Sequence, residues 1–224
     1  MDQMEQQHAA ERMQRQMQLD TYAKEAHEVK DRLGKTLDAG ILDTVIALRA
    51  CDIPTTQSCE GHIDHGHPAP WVHVRAPDEP PMIENEMDAL TTIKTTYGID
   101  VEQIKESQSQ HIMDEFLHLV RDGQSDEWKA WMSKNMLLQK QVQDLLETYA
   151  SKVGNDVAKQ ITIHSSTIGG DFRIVAGLEQ YEILNAKQKN QNERDALTKH
   201  LVDLQQIMQD FGAFIKQEFL DGRI

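Results

Sequence analysis

The chain has 224 residues, 39% of them hydrophobic, with 37 acidic against 23 basic residues and a formal net charge of −14. That length buries a substantial core, and the charge disfavours non-specific nucleic-acid binding, because a polyanion meets a repulsive mean field. No apolar run approaches the roughly 18 residues of a membrane span. The Gln-rich N-terminus has no apolar signal region, and two cysteines are too few for a disulfide scaffold, so a reduced, cytoplasmic protein away from membranes is expected.

Residues 1–33 read as one helix, frayed over its first dozen residues, because Leu19, Tyr22, Ala26, Val29 and Leu33 recur at 3-4-3-4 spacing. Gly34 stands where a helix C-cap belongs. Residues 34–76 read as a second helix and a first hairpin. Asp38 is placed to cap the helix, whose buried stripe is Ile41, Leu42, Val45, Ile46 and Leu48. The period then changes: residues 53–58 are β-branched and polar, 71–76 alternate, and Gly61, Gly66, Pro68 and Pro70 make the loop between them.

Residues 77–83, with Pro77, Pro80 and Pro81, read as a linker. A helical insertion follows over 84–153, with helices near 84–97, 101–122 and 126–153. A second hairpin is expected at 161–176, turning through Gly169 and Gly170. A long helix closes the chain over 178–220, where Leu197, Leu201, Leu204, Met208, Phe211 and Ile215 form a heptad seam that needs a partner. Either the N-terminal helix covers that seam or a second copy does, giving a homodimer or a partner-binding helical module. The fold class expected is α+β, one domain over 1–224, with a small antiparallel sheet of two hairpins packed against long helices.

The chemistry concentrates between Ser58 and Arg75. Cys59, Glu60 and His62 lie on a turn at the end of the first strand, a thiol, a carboxylate and an imidazole suited to nucleophilic and acid–base roles. Gly61 permits positive φ there, and Ser58 and Gly61 are candidate ligand contacts. Strand alternation sends Val72, Val74, Ile161, Ile163, Phe172 and Ile174 to one face and His73, Arg75, His164 and Arg173 to the other. A cationic face on an acidic protein suits a small anionic molecule or nucleotide; an ordinary solvated sheet face is the alternative. Cys59, His62, His65 and His67 give C-x2-H-x2-H-x-H, donor types that zinc accepts, with Glu60 and Asp64 as further oxygen donors. Ser165, Ser166, Gly169 and Gly170 form a polar loop that serves as a turn or receives an anion on its amides.

The segment from Asp38 to Ile63, with its apolar helix and Thr55-Thr56-Gln57-Ser58-Cys59-Glu60-Gly61-His62-Ile63, resembles the opening of the wybutosine-synthesis methyltransferase family. Ser58, Cys59 and Gly61 sit on matching motif positions, whereas Glu60 and His62 replace that family's serine and arginine. The resemblance implies an α/β fold and S-adenosylmethionine-dependent modification of a tRNA base. The same stretch, with Pro70-Trp71-Val72 after it, is similar to a group of bacterial proteins carrying Thr-Thr-x-Ser-Cys-Glu-Gly-His and Pro-Trp-Val, which implies no particular activity.

Overall fold

A computed structural model describes residues 3–30, 34–64, 68–98, 110–158, 160–166, 168–177 and 190–224. The architecture is α+β. Helices α1 (Gln3–Glu28) and α2 (Ala39–Ala50) precede strands β1 (Thr55–Cys59) and β2 (Trp71–Val74). Helices α3 (Glu86–Tyr97), α4 (Gln110–Asp122), α5 (Asp126–Val153) and the short α6 (Asn155–Ala158) follow. Strands β3 (Ile161–Ser165) and β4 (Phe172–Ala176) and the long α7 (Gln191–Leu220) complete the chain. By contact density it divides into two compact units, one comprising Met1–Arg75, Leu138–His164 and Phe172–Ile224, the other Ala76–Leu137 and Ser165–Asp171. No helix among the described residues is long and apolar enough to cross a membrane.

In the first unit the two hairpins join into one four-stranded sheet of order β1-β2-β4-β3. The junction is the antiparallel pairing of β2 with β4, which sets Val72 opposite Ile174, His73 opposite Arg173 and Val74 opposite Phe172. Side chains alternate across a pleated strand, so Val72, Val74, Phe172 and Ile174 share one face and are buried. Helix α2 lies against β1 and β2, and α7 against β4. The edge strand β1 carries an irregularity between Thr55 and Gln57, after which Ser58 stands opposite Val72 and Cys59 opposite Trp71. A bulge of this kind re-aims the residues beyond it. It places Cys59 on the face of Trp71 and His73.

Helix α1 stops at Glu28, short of the expected 33, and Gly34 lies beyond its end at φ 76°. Its seam is correspondingly shorter: Leu19 and Ala26 are buried, whereas Val29 is exposed past the last turn, and Leu33 lies outside the described residues. The expected start of the closing helix at 178 also falls outside the described residues. Within them α7 opens with a capping box, in which Asn190 accepts from the Glu193 amide and the Glu193 carboxylate accepts from the Asn190 amide. The seam of α7 is covered within the chain. Leu204, Met208, Phe211 and Ile215 are buried, and the hydroxyl of Thr44 in α2 donates to the Met208 carbonyl at 3.0 Å. Arg12 of α1 pairs with Asp221 just past the end of α7 at 2.6 Å. On α5, Tyr149 packs with Phe211 and Phe214 at ring separations of 5.3 and 5.2 Å.

One buried charge belongs to this helical core. Glu218 is 3% exposed and is bound by Arg223 and Lys152. The Arg223 hydrogen bond is the main reason its carboxyl is lowered to about 2, with Lys152 adding to the effect and burial opposing it. A carboxyl whose pKa falls on folding stabilises the fold above its unfolded value and loses that contribution as the pH drops toward its folded value. Because Lys152 and Arg223 are about half exposed, Glu218→Gln is expected to cost only about 1 kcal/mol at neutral pH. In urea titrations the gap between variant and wild type should close between pH 4.5 and about 2; a gap that does not vary with pH would exclude the ion pairs as its cause.

In the second unit, α3 packs on α4, and two buried amides organise the backbone. Gln124 accepts from the Ile83 amide and donates to the Ile83 and Val120 carbonyls. Asn135 accepts from the Ala76 amide at 2.7 Å and donates to the Gly169 carbonyl at 3.0 Å, while the Trp131 indole donates to the Ala76 carbonyl. These bonds satisfy backbone groups that no strand or helix pairs. The turn through Gly169 and Gly170 closes with Ser166 donating to the Asp171 carboxylate. That polar loop is thus bonded within itself.

Candidate metal centre

The site is built where β1 returns to the N-terminus of α2. Asp38 has extended φ and ψ of −62° and 136°, the geometry of an N-cap, yet its side chain makes no capping hydrogen bond. The expected capping role passes to a residue from the other side of the turn. The Glu60 carboxylate accepts from the Gly40 amide at 2.7 Å, and the Asp38 carboxylate accepts from the Glu60 amide at 3.2 Å. A helix N-terminus favours a carboxylate because its first amides have no intrahelical partner. Glu60 supplies one, and its own carbonyl accepts from Gln205 of α7 at 3.0 Å. Glu60, expected as a general base, therefore ties β1 to α2 and α7.

The same Asp38 oxygen that accepts from the Glu60 amide also faces the motif turn. His62 Nε2 lies 3.4 Å from Asp38 Oδ2. Donor atoms of Asp38, Cys59 and His62 all lie within 4.8 Å of one another, and all three residues are half-buried. Four donors around zinc at about 2.0–2.3 Å sit roughly 3.3–3.8 Å apart. The cluster thus needs adjustments of about 1 Å to close on an ion. Carboxylate, thiolate and imidazole are each accepted by zinc, and the Glu60 amide on Asp38 is the kind of outer hydrogen bond that orients a ligand.

The turn itself demands Gly61. Its φ is 88°, and a Cβ there would stand 2.7 Å from the Leu201 side chain and about 3 Å from the backbone of Ala69 and Pro70. The Gly61 amide donates to Cys59 Sγ at 3.3 Å, which holds the sulfur on the inside of the turn. Cys51, in contrast, is buried, and burial pushes its thiol up to about 12, so it stays protonated and inert.

The remaining expected residues fall into two groups. His65 and His67 lie outside the described residues. His73 and Arg173 are directly paired across β2 and β4. His73 Nδ1 shares a hydrogen bond of 2.8 Å with Thr56, and the Arg173 guanidinium lies 4.4 Å from the centre of the Trp71 ring. His164 is exposed on β3 and bonds Thr162 at 2.8 Å. The backbone bonds flanking the second hairpin, Ser166 N to Asp171 O and Gly177 N to Gln160 O, share one register, which sets His164 across from Arg173. Arg75 lies just past β2, half-buried, its amide donating to the Pro54 carbonyl. The hydroxyl of Ser58 and the indole nitrogen of Trp71 are buried and have no hydrogen-bond partner among the described residues.

Asp38 is the donor that residue spacing missed. Its place before Ala39 and Gly40 signals a helix cap, and only the return of β1 reveals another use. The chain matches no protein-family model, no curated protein and no solved structure.

Proposed function

We propose that this protein binds a zinc-class divalent ion through Asp38, Cys59 and His62 and presents it to a small ligand. The observation that supports this reading is the convergence of three different donor types, from two separate chain segments, within 4.8 Å. Three protein donors leave one tetrahedral position for water or a ligand, the arrangement of reactive rather than purely structural zinc sites. An ion held there lowers the pKa of its bound water and polarises a ligand oxygen. Elemental analysis of protein purified without chelator is expected to give about one zinc per chain. Absence of tight binding, in a competition titration with a chromophoric chelator, would overturn the reading.

A second reading concerns the sheet face. His73, Arg173 and His164 fall side by side on β2, β4 and β3, and such a row suits the oxygens of an anion. Its support is the shared register, and its test is the loss of phosphate binding in Arg173→Ala. An unchanged phosphate affinity in that variant would remove it.

A further inference from the structure

The Glu60–Gly61 peptide stands between two donors of the proposed ion, Cys59 and His62, and both of its polar atoms are engaged. On one side the Glu60 carbonyl accepts from Gln205 Nε2 of α7 at 3.0 Å. On the other the Gly61 amide donates to Cys59 Sγ at 3.3 Å. A trans peptide is planar, and its C=O and N–H point in opposite directions. The hydrogen bond from α7 therefore also fixes where the amide aims. We infer that Gln205 is the positioning residue of the metal centre, holding this plane so that the Gly61 amide stays on the ligand sulfur.

The plane needs holding because its own chain restrains it weakly. Turning it changes ψ of Glu60 and φ of Gly61, and glycine accepts either sign of φ; here φ is 88°. Helix α7 supplies the restraint at two places one turn apart. Leu201 packs over Gly61, its Cδ1 2.7 Å from where a Cβ would stand. Gln205 follows on the next turn, on the same face of the helix. One turn further, Gln209 donates to the Gly40 carbonyl at 3.3 Å, which fastens α7 to α2 rather than to the motif turn.

The consequence is read on the ion, so this inference rests on the metal reading above. An amide N–H bonded to a metal-bound thiolate draws charge from the sulfur and fixes the direction of its lone pairs. Outer partners of this kind typically change metal affinity 10–100-fold. Gln205 touches no donor atom; it acts through the peptide between them.

The test is zinc and cobalt(II) binding to the full chain carrying Gln205→Met, which keeps a long unbranched side chain and a good helix former but has no N–H to give. Zinc affinity in chelator competition is expected to fall about 10–100-fold. The sulfur-to-cobalt charge-transfer band should move to longer wavelength as the thiolate loses its hydrogen bond. Gln205→Lys, which again offers an N–H donor, should recover most of the affinity. Gln209→Met is the control for support of the fold: it should lower the urea midpoint about as much as Gln205→Met and leave the cobalt spectrum as in wild type. Wild-type zinc affinity and an unshifted band in Gln205→Met would overturn the inference and leave the metal centre standing. Equal losses of zinc affinity in the Gln205 and Gln209 variants would also overturn it, since the bond would then only support the fold. A wild-type protein that takes up neither ion removes the metal reading, and the inference with it.

Discussion

Cys59→Ala is expected to lower zinc affinity by at least about 100-fold, since loss of an outer-shell partner alone typically costs 10–100-fold. The thiolate is the softest of the three donors and carries one of the two negative charges that would neutralise the ion. The metal-free variant should unfold within about 0.5 kcal/mol of wild type, because the residue is only half-buried and small. That pair of results separates a ligand from a packing residue. His62→Ala should behave in the same way. Glu60→Ala should do the reverse: its carboxylate holds the Gly40 amide at the start of α2, so its loss costs about 1 kcal/mol of stability. Chelator competition and urea unfolding on the same three variants measure both quantities. If Cys59→Ala binds zinc as wild type does, the proposed centre is wrong.

Gly212→Ala is expected to destabilise the protein by about 2 kcal/mol, although alanine is the better helix former by about 1 kcal/mol. The reason is the closeness of α2 and α7. A Cβ at Gly212 would lie 2.5 Å from the Thr44 hydroxyl, 2.8 Å from Thr44 Cα and 3.1 Å from Thr44 Cβ. A flexible side chain could swing aside, but Cα and Cβ of a buried residue move only if the helix moves. Shifting α2 would also lengthen the 3.0 Å hydrogen bond from Thr44 to the Met208 carbonyl and disturb the Glu60 bond to Gly40. The variant should therefore show a lower urea midpoint and, through α2, weaker zinc binding. A midpoint equal to or above that of wild type would mean that the helices separate without cost.

Local signals in the chain specified much of this fold. Alternation at Trp71–Val74 and Phe172–Ala176, the Gly169–Gly170 turn and the heptad seam of α7 are properties of neighbouring residues, and each yields the element expected of it. Pairing of the two hairpins follows from the same alternation, since each has one apolar face to bury. The partner of the α7 seam did not follow, because the spacing of α1 matched it as well as any other. Small residues decided the matter: Gly212 allows α2 to approach closely, and a glycine within a heptad carries no periodic signal.

The candidate site divides along the same line. Composition alone marks Ser58 to Arg75 as the place where donor-type side chains gather, and it identifies Cys59 and His62 as a plausible pair. The third donor depends on distance between residues remote in sequence. Asp38 is 21 positions before Cys59, and its carboxylate is available only because Glu60 takes over the helix N-terminus. The irregularity in β1 then turns Cys59 toward Trp71 and leaves Ser58 opposite Val72, a choice that depends on pairing with β2. Residue type and spacing therefore determined which side chains are available for chemistry. Tertiary structure decided which of them meet, because ligand geometry depends on separations through space, and those are set by how β1 returns to α2.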